Sequence, residues 1–316
     1  MKIIVTGGAG FIGSHLVDAY IKAGHKVSVI DNLDTGKKIF VNPKAKFYKI
    51  SVTDLKKMDV IFKKERPDLV VHLAAFDYIT RSVKEPENAV KVNVLGTLNV
   101  LKLMVKYGSK KIIFASTGGP LYGFSPKPLP LKEDRPIESV SPYGASKAFA
   151  EETIRLYYRL YGIKYTVFRY PNVYGPRQYP KGVGKAVAIF SKLILRNKRP
   201  TIFGDGSKFR DYAYIDDVVR AHLLAIKKGD NETINIGWGK PTSDLELLNA
   251  VKKALGSNIV PIFGKRQPGE VDGFYLDVTK AKKLLGWKAK ITMKQGMKKT
   301  AEYYKLCKKL KKKFIR

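Results

Sequence analysis

The chain is poor in cysteine, in acidic residues and in long apolar segments, and each scarcity excludes something. Cys307 is the single cysteine among 316 residues, so neither an intrachain disulfide nor a cysteine-ligated zinc cluster is possible. A protein without disulfides suits a reducing compartment, and we expect a cytoplasmic location. No apolar run is long enough for a membrane-spanning helix. A strand-like segment and glycines begin directly after Met1, so we also expect no signal peptide.

Acidic residues are outnumbered, with 27 Asp and Glu against 60 Lys and Arg, which gives a formal net charge of +33. Such a charge suits a polyanionic partner such as nucleic acid or an anionic membrane. Most of the lysines are scattered, however, which favours a generally basic surface. Only the C-terminus concentrates them, at Lys308, Lys309, Lys311, Lys312 and Lys313. Contact of this tail with nucleic acid or membrane is therefore an alternative that we do not favour.

Short β-branched runs alternate with helical patterns along the first half of the chain. The runs are Ile3–Val5, Val27–Ile30, Leu69–Leu73, Lys111–Ala115 and Tyr165–Arg169. This alternation predicts βαβ units, and hence an α/β fold with a Rossmann-type doubly wound parallel sheet. Ligands bind such sheets beyond the carboxyl ends of the strands.

The clearest helical pattern covers residues 88–107. Its apolar stripe is predicted to pack in the core or at a subunit interface, and consists of Val90, Val94, Leu98, Leu101 and Val105. The second half of the chain is less regular, which predicts a smaller mixed α/β substrate domain interleaved with the first. We expect a cofactor-binding domain of residues 1–171 plus about 212–242. The substrate domain would then take about 172–211 plus 243–316.

The glycine-rich segment after the first strand predicts a dinucleotide site. Gly7, Gly10 and Gly13 permit a tight turn and close approach of a pyrophosphate to the backbone, with Phe11 and Ile12 opening the following helix. A purely structural turn is the alternative, but the position between a strand and an amphipathic helix favours a dinucleotide.

Acidic residues follow the run Val27–Ile30 and the further strand-like segment Phe47–Ile50. Asp31, with Asn32 beside it, closes the second strand, where a carboxylate accepts hydrogen bonds from the adenosine ribose and repels a 2′-phosphate. NAD is therefore favoured over NADP, although Lys37 and Lys38 follow closely. Asp54 is either an adenine contact or a helix N-cap, and the two interpretations are equally good.

Tyr143 and Lys147 lie four residues apart, behind a helix start formed by Ser141 and Pro142. At helical spacing the two side chains share one face. A neighbouring ammonium favours the phenolate, so we expect Lys147 to lower the pKa of Tyr143 and make it a general base. An ordinary surface pair is the alternative for this common spacing; the glycine turn and Asp31 favour the catalytic interpretation.

These motifs together resemble the extended short-chain dehydrogenase/reductase superfamily, in particular its UDP-glucose (galactose) 4-epimerase-like enzymes. The resemblance covers nearly the whole chain and includes TGGAGFIGSHL (6–16), DNLDTG (31–36), HLAA (72–75), NVLGTLNVL (93–101), STGGPLYG (116–123), FRYPNVYGPRQ (168–178), IFGDGSKFRDYAYIDD (202–217), INIG (234–237) and QPGEVDGFYLD (267–277).

The resemblance implies a redox cycle at the sugar C4. Tyr143 would take the proton of the C4 hydroxyl while C4 gives a hydride to NAD. Lys147 would bind the nicotinamide ribose, and Thr117, with Ser116, would hydrogen-bond the same hydroxyl. The 4-keto sugar would turn over before the hydride returns to its other face. Ala74, Ala75 and Asn93 would line the cofactor.

The resemblance also implies a UDP-hexose site. Asn172 and Arg210 would hold the UDP moiety, with Arg210 facing the diphosphate. Phe203 would pack near the uracil, Glu270 would contact the uridine ribose, and Arg266 is a candidate for a second diphosphate ligand. Phe274 aligns with a position that limits sugar size. No metal is implied.

Three functions are weighed. A UDP-glucose/UDP-galactose 4-epimerase is preferred, because Gly118 and Gly119 stand where related 4,6-dehydratases carry an acidic pair. An epimerase or decarboxylase acting on UDP-GlcNAc or UDP-glucuronate is the alternative, and a non-catalytic NAD- or RNA-binding protein is remote. Relatives pair through two helices, here near 88–107 and 142–161, so a homodimer is expected.

Overall fold

The computed structural model of the chain describes residues 1–77, 79–123, 127–180, 185–265 and 273–310. Its strands, in chain order, are β1 (Lys2–Thr6), β2 (Lys26–Ile30), β3 (Lys46–Tyr48), β4 (Leu69–His72), β5 (Lys111–Thr117), β6 (Lys164–Tyr170), β7 (Asn172–Tyr174), β8 (Thr201–Phe203), β9 (Phe209–Arg210), β10 (Tyr212–Tyr214), β11 (Glu232–Asn235), β12 (Thr242–Ser243) and β13 (Ile262–Gly264).

The α-helices are interleaved with these strands. They are α1 (Phe11–Lys22), α2 (Leu55–Glu65), α3 (Ile79–Lys84), α4 (Pro86–Ala89), α5 (Gly96–Tyr107), α6 (Pro142–Tyr161), α7 (Ala186–Leu195), α8 (Ile215–Ala225), α9 (Asp244–Leu255), α10 (Thr279–Leu285) and α11 (Met293–Lys309). A π-helical segment, Val90–Leu95, joins α4 to α5, and short 3₁₀ turns occur at Lys38–Phe40 and Gly119–Leu121.

Seven parallel strands form the central sheet in the order β3–β2–β1–β4–β5–β6–β11. The chain runs from β1 through β2 to β3 on one side, then crosses back to β4 on the other side of β1 and continues to β5 and β6, so the strand order reverses between β1 and β4. This is the doubly wound topology in which a ligand crevice opens at the carboxyl ends of the strands. The predicted Rossmann-type sheet is confirmed.

Both faces of the sheet are covered, as the near-continuous apolar sequences of β1, β4 and β5 require. On one face, Leu16 and Val17 of α1 pack with α8 against alternate residues of β1, including Val5. On the other, α2, α5 and α6 pack over the side chains that point the opposite way, including Ile4 and Val70. The sheet is therefore a rigid support for whatever lies at its edge.

Three two-stranded sheets lie outside the central one: β7 with β10, β9 with β12, and β8 with β13. The first two place Asn172 and Arg210 near the carboxyl end of β6. None of the helices within the described ranges combines the length and the apolarity needed to cross a bilayer.

The predicted helix at 88–107 is not one regular helix. The π-helical turn Val90–Leu95 interrupts it, and π turns are frequent at functional sites because they re-aim a side chain. Two residues of the predicted stripe face outwards, since Val90 is 51% and Val105 is 39% exposed. Leu101 is buried with Val100, Leu103 and Met104 on the inward face of α5. The stripe therefore does not pack in the core as a whole, and its alternative role at a subunit interface stays a prediction for Val90 and Val105.

Candidate functional site

A cavity of about 570 Å³ follows the carboxyl edge of the sheet across the switch point. One end is lined by the turn after β1 and by the residues after β2, and the other by the end of β5, the start of α6 and the segment after β6. Of the predicted site residues, it is lined by Gly7, Gly10, Phe11, Ile12, Gly13, Asp31, Asn32, Ala74, Ala75, Ser116, Thr117, Tyr143, Lys147, Asn172, Arg210 and Phe274.

The glycine turn is closed by backbone contacts that leave no room for side chains. Gly7 has φ +70° and donates its N–H to the carbonyl of Ile30 at 2.8 Å. A Cβ on Gly7 would lie 2.8 Å from the backbone nitrogen of Ala74, and one on Gly13 would lie 2.2 Å from the Gly7 oxygen. Gly10 precedes the first residue of α1. The N-terminus of this helix therefore opens into the cavity, as a pyrophosphate site requires.

Asp31 lies at the end of β2, with only 7% of its surface exposed. Its carboxylate accepts the N–H of Ala9 at 2.9 Å and the N–H of Leu33 at 2.8 Å. Burial nevertheless raises the pKa of Asp31 from its ordinary value. Each oxygen uses one lone pair for these bonds, so both can still accept a hydroxyl from a ribose in the cavity.

Asn93 lies behind the cavity wall, not on it. Its side-chain oxygen accepts the N–H of Phe76 at 2.7 Å, and its amide nitrogen donates to the Ser146 hydroxyl at 2.8 Å. Asn93 belongs to the π-helical segment, which explains how a residue in the middle of a helix reaches two other elements. The predicted direct lining of a cofactor by Asn93 is therefore not seen. Its contacts fix the loop of Ala74 and Ala75, which do line the cavity.

The start of α6 brings the predicted reactive group to the middle of the cavity. The Ser141 hydroxyl accepts the N–H of Gly144 at 3.1 Å, and Pro142 occupies the first helical position, so the helix begins as the sequence predicts. Tyr143 hydrogen-bonds through its hydroxyl with Thr117 at the end of β5. Lys147, one turn later, donates its Nζ to the carbonyl of Ala115 at 2.7 Å. The bonded hydroxyls of Tyr143 and Thr117 and the ammonium of Lys147, one helical turn away, therefore line the middle of the cavity.

The pKa of Tyr143 moves in the opposite direction from the prediction. Burial raises the pKa of Tyr143, the Asp77 carboxylate raises it further, and the hydrogen bond with Thr117 lowers it by less. The prediction that Lys147 lowers this pKa is thus wrong, because the Lys147 ammonium points to the Ala115 carbonyl. Burial also lowers the pKa of Lys147 to about 8, partly offset by Asp77 and Glu151.

The hydroxyl of Ser116 is committed to a residue behind the site. It donates to Oε1 of Glu151 at 2.5 Å, and both side chains are buried. The carboxylate leaves the serine no second proton to give, so Ser116 cannot also donate a hydrogen bond into the cavity in this arrangement. Thr117 is the hydroxyl that faces Tyr143.

The far end of the cavity combines an aromatic ring with a cation. The guanidinium of Arg210 lies 5.7 Å from the ring centre of Phe274. Phe274 in turn packs so closely on Gly119 that a Cβ there would lie 2.4 Å from its ring. Gly118 is similarly confined by Leu276, 3.0 Å from its ideal Cβ. The strand end after Thr117 therefore has no space for an acidic side chain.

The fully buried carboxylate of Asp211 holds this end together. It accepts N–H groups from Trp238 at 2.8 Å, Gly239 at 3.1 Å and Leu276 at 3.2 Å. Burial raises the pKa of Asp211 to about 6, and the backbone donors oppose this shift. Three chain segments are thereby tied next to Arg210, which precedes Asp211.

Besides Asn93, four predicted residues are not brought to the cavity or cannot be placed. Asp54 caps α2 by accepting the N–H of Lys57 at 3.1 Å, so the N-cap interpretation is the one realised. Phe203 ends β8 outside the cavity lining and is 36% exposed. Arg266 and Glu270 lie outside the described residues, as does the tail beyond Leu310.

Sequence reasoning missed charged residues around the reactive group. Asp77 follows β4, and Lys185 precedes α7; both line the cavity, and they form an ion pair at 3.4 Å. The position of Asp77 after a strand was a usable signal, whereas Lys185 lies in an irregular segment without one. Among the described residues, no cluster of His, Cys, Asp or Glu is arranged to hold a metal ion.

Comparison with known proteins identifies relatives of the whole chain. The family described as "NAD dependent epimerase/dehydratase family" matches residues 3–237. The crystal structure of UDP-glucose 4-epimerase with UDP-glucose from Thermotoga maritima is 47% identical, with a TM-score of 0.95, over 98% of this chain and 100% of that one. The Thermus thermophilus UDP-glucose 4-epimerase complex with NAD is 37% identical, with a TM-score of 0.92, over 96% and 99%. The UDP-glucose 4-epimerase of Mycolicibacterium smegmatis is 36% identical over 96% and 99% of the two chains.

Proposed function

Because the chain belongs to the NAD-dependent epimerase/dehydratase family, we propose that it is an NAD-dependent UDP-glucose 4-epimerase, which interconverts UDP-galactose and UDP-glucose. The observation that carries the proposal is the meeting of the Tyr143 and Thr117 hydroxyls beside Lys147, in a cavity that continues to the glycine turn. A sugar hydroxyl and a nicotinamide can reach the same place only at such a junction.

NAD is the cofactor of this family, and the described residues fit it. The glycine turn is a cradle that a Cβ would fill, and Asp31 stands where a ribose diol is recognised. When bound, NAD supplies a hydride acceptor for the sugar C4 and a cationic nicotinamide ring. Gly7, Gly10 and Gly13 would hold its pyrophosphate, and Ala74 and Ala75 would line its path along the sheet edge.

Tyr143 serves as the proton acceptor and donor in the proposed reaction. Its raised pKa keeps the phenol protonated near neutral pH, so it needs a nearby positive charge before it can accept a proton. The nicotinamide ring of the bound cofactor would supply that charge, while Lys147, which is bonded to the Ala115 carbonyl, would hold the nicotinamide ribose. Thr117 hydrogen-bonds Tyr143 in the structure, and in the proposed complex its hydroxyl would hydrogen-bond the sugar hydroxyl that Tyr143 deprotonates.

The UDP-hexose occupies the other end of the cavity in this proposal. Arg210 would pair with the diphosphate, and Asn172 would contact the nucleotide. Phe274 restricts the sugar pocket to hexoses without a bulky substituent. The roles of Phe203 near the uracil, of Glu270 at the uridine ribose and of Arg266 at the diphosphate remain predictions. A dehydratase is disfavoured, since Gly118 and Gly119 leave no space for an acid.

A UDP-uronate 4-epimerase is the second candidate, on one specific observation. Lys185 lines the cavity and pairs with Asp77, whose charge acts on both Tyr143 and Lys147. A cation so close to the reactive group could also pair with the C6 carboxylate of a uronate. Rates on UDP-glucuronate and UDP-galactose, measured side by side, distinguish the two functions.

We further propose a homodimer, formed through the outward faces of α5 and α6. These faces, with Leu95 just before α5, expose large apolar side chains that a monomer would leave in water: Leu95, Val105, Phe149, Leu156, Leu160 and Tyr161. Sedimentation should give twice the chain mass, and Phe149→Glu with Leu160→Glu should give a monomer. A monomeric mass for the unaltered protein would contradict the proposal.

The two interleaved domains and the cytoplasmic location also stay proposals, and nucleic-acid or membrane binding by the basic tail is not favoured.

The activity is tested by mixing the purified protein with UDP-galactose. Formation of UDP-glucose until the two sugars reach equilibrium is the expected result. The bound NAD content is measured in the same sample by denaturing the protein and assaying the released cofactor. Protein that holds NAD and forms no UDP-glucose would refute the proposed function.

A further inference from the structure

A buried carboxylate lies directly behind the reactive group and is not used by the reaction proposed above. Glu151 is on α6, one turn after Lys147, and has no exposed surface. It accepts the Ser116 hydroxyl at 2.5 Å and Nε of Arg169 at 3.0 Å on Oε1, and Nη2 of Arg169 at 2.7 Å on Oε2. Glu151 therefore joins α6 to the ends of both β5 and β6.

The main partner of Glu151, Arg169, is itself bonded through all three of its side-chain nitrogens. Arg169 uses its remaining nitrogen, Nη1, to donate to the carbonyl of Glu133 at 3.0 Å and to the hydroxyl of Tyr122. Arg155 adds a second cation to Oε2 at 3.1 Å. A buried ion pair with this many hydrogen bonds restricts the geometry of its neighbours even where it adds little stability.

The hydrogen bonds of Glu151 lie next to the groups that position Tyr143 and Lys147. Ser116 lies between Ala115, whose carbonyl accepts Lys147, and Thr117, which contacts Tyr143. The bond between Ser116 and Glu151 therefore fixes the position of the end of β5 relative to α6, the helix that carries Tyr143 and Lys147. Displacing catalytic groups by about 1 Å can cost about 100-fold in rate.

We propose that Glu151 is a positioning residue for the epimerase reaction, which acts through Ser116 and Arg169 to set Tyr143 and Lys147 against the end of β5. Ser116 is then a connector, not a donor to the sugar. The inference rests on the proposed function for its kinetic readout. A plain structural ion pair is the competing explanation, and the two differ in how activity follows stability.

The experiment compares two ways of removing the charge. Glu151→Leu combined with Arg169→Met removes the whole pair and fills the space with apolar atoms, which often preserves or raises stability. Glu151→Gln keeps the shape and an acceptor for Ser116 but leaves Arg169 without its counter-charge. Glu152→Gln is the matched control, because this neighbouring carboxylate is 63% exposed and pairs with Arg155 and Arg159 at the surface.

We expect activity and stability to rank in opposite orders between the two Glu151 variants. The double variant should unfold at a higher temperature than Glu151→Gln, and yet its kcat should fall about 10- to 100-fold while KM changes about two-fold at most. Glu151→Gln should keep the larger share of kcat, and Glu152→Gln should match the parent protein. If kcat instead follows the unfolding temperature between Glu151→Gln and the double variant, Glu151 only supports the fold, and the proposal is overturned.

The affinity for NAD provides a readout that does not depend on the sugar. We expect titration calorimetry to show weaker NAD binding by the double variant than by Glu152→Gln, because Lys147 is displaced. If the unaltered protein turned over no UDP-hexose, the proposed function would fail, and NAD affinity alone would then decide the inference. Equal NAD affinity in both variants would overturn it in that case.

Discussion

The two ends of the cavity are built in different ways. The end that would hold NAD, here called the cofactor end, comes from consecutive elements, β1, α1 and β2. Its contacts are backbone hydrogen bonds and glycine packing. The sugar end is assembled from β5, α6, β9 and the segment around Phe274, which are far apart in the chain. The cofactor site is thus built from neighbouring segments of the chain, whereas the sugar site depends on the packing of distant ones.

The reactive group lies where the two ends meet, and it depends on both. Tyr143 reaches towards the sugar end through Thr117, and Lys147 is bound to the strand that separates the two ends. Changes at this junction should therefore affect rate more than binding, and changes at either end should affect one ligand more than the other.

The largest expected effect comes from Tyr143→Phe at the junction. The substitution removes the phenol proton but keeps the ring, so kcat for UDP-galactose should fall about 1,000-fold or more. NAD retention should be unchanged, since the glycine turn is untouched. Tyr157→Phe, on the same helix and away from the cavity, is the control. A kcat within tenfold of the parent would show that another group transfers the proton.

At the cofactor end, Gly7→Ala should abolish tight NAD binding. Its new Cβ would meet the backbone of Ala74 at 2.8 Å and would also require a left-handed residue at φ +70°. Gly24→Ala has a similar φ of +82° and nothing within 4 Å, so it isolates the backbone cost of about 1 kcal/mol. Calorimetry should show about 100-fold weaker NAD binding for Gly7→Ala alone. Equal losses in both variants would show that the close approach to Ala74 is unimportant.

At the sugar end, Phe274→Leu should change which sugar is accepted. The smaller side chain opens space over Gly119, so kcat/KM for UDP-GlcNAc relative to UDP-galactose should rise about 10-fold. Phe263→Leu, an exposed aromatic outside the cavity lining, should leave the ratio unchanged. An unchanged ratio in Phe274→Leu would place the size limit elsewhere.

The smallest effect concerns stability at the junction. Burial lowers the pKa of Lys147 to about 8 in the folded protein, below the ordinary value of 10.5. The unfolded chain thus binds the proton more tightly between these pH values, so burying the charged Lys147 destabilises the fold at neutral pH, and this cost falls as the pH rises from about 8 to 10.5.

Lys147→Met removes this dependence. The variant should therefore be about 1–2 kcal/mol more stable than the parent at pH 7, and the difference should shrink as the pH approaches 10. Lys102→Met, at an exposed position on α5, corrects for the loss of an ordinary surface charge. Urea unfolding at several pH values measures the effect. A variant less stable than the parent at pH 7 would mean that the bond to Ala115 outweighs the burial of the charge.

The two ends also differ in how far the sequence predicts them. The parallel sheet, the glycine turn and the Asp31 position follow from patterns within about 30 residues, and the structure places them as expected. Asn93 and Ser116 were assigned to the right place but to direct contacts, because a π-helical turn and a buried carboxylate partner leave no mark in local periodicity. Asp77, Lys185 and Asp211 depend on segments that meet only in the folded chain.

The central claim is that one junction carries out redox chemistry at C4 with the cofactor as temporary carrier. The most direct measurement uses UDP-galactose labelled with deuterium at C4 and follows the product by mass spectrometry in ordinary water. The account predicts UDP-glucose that keeps the deuterium, because the hydrogen returns to the same carbon without exchange with solvent. Product that has lost the label to water would contradict the account.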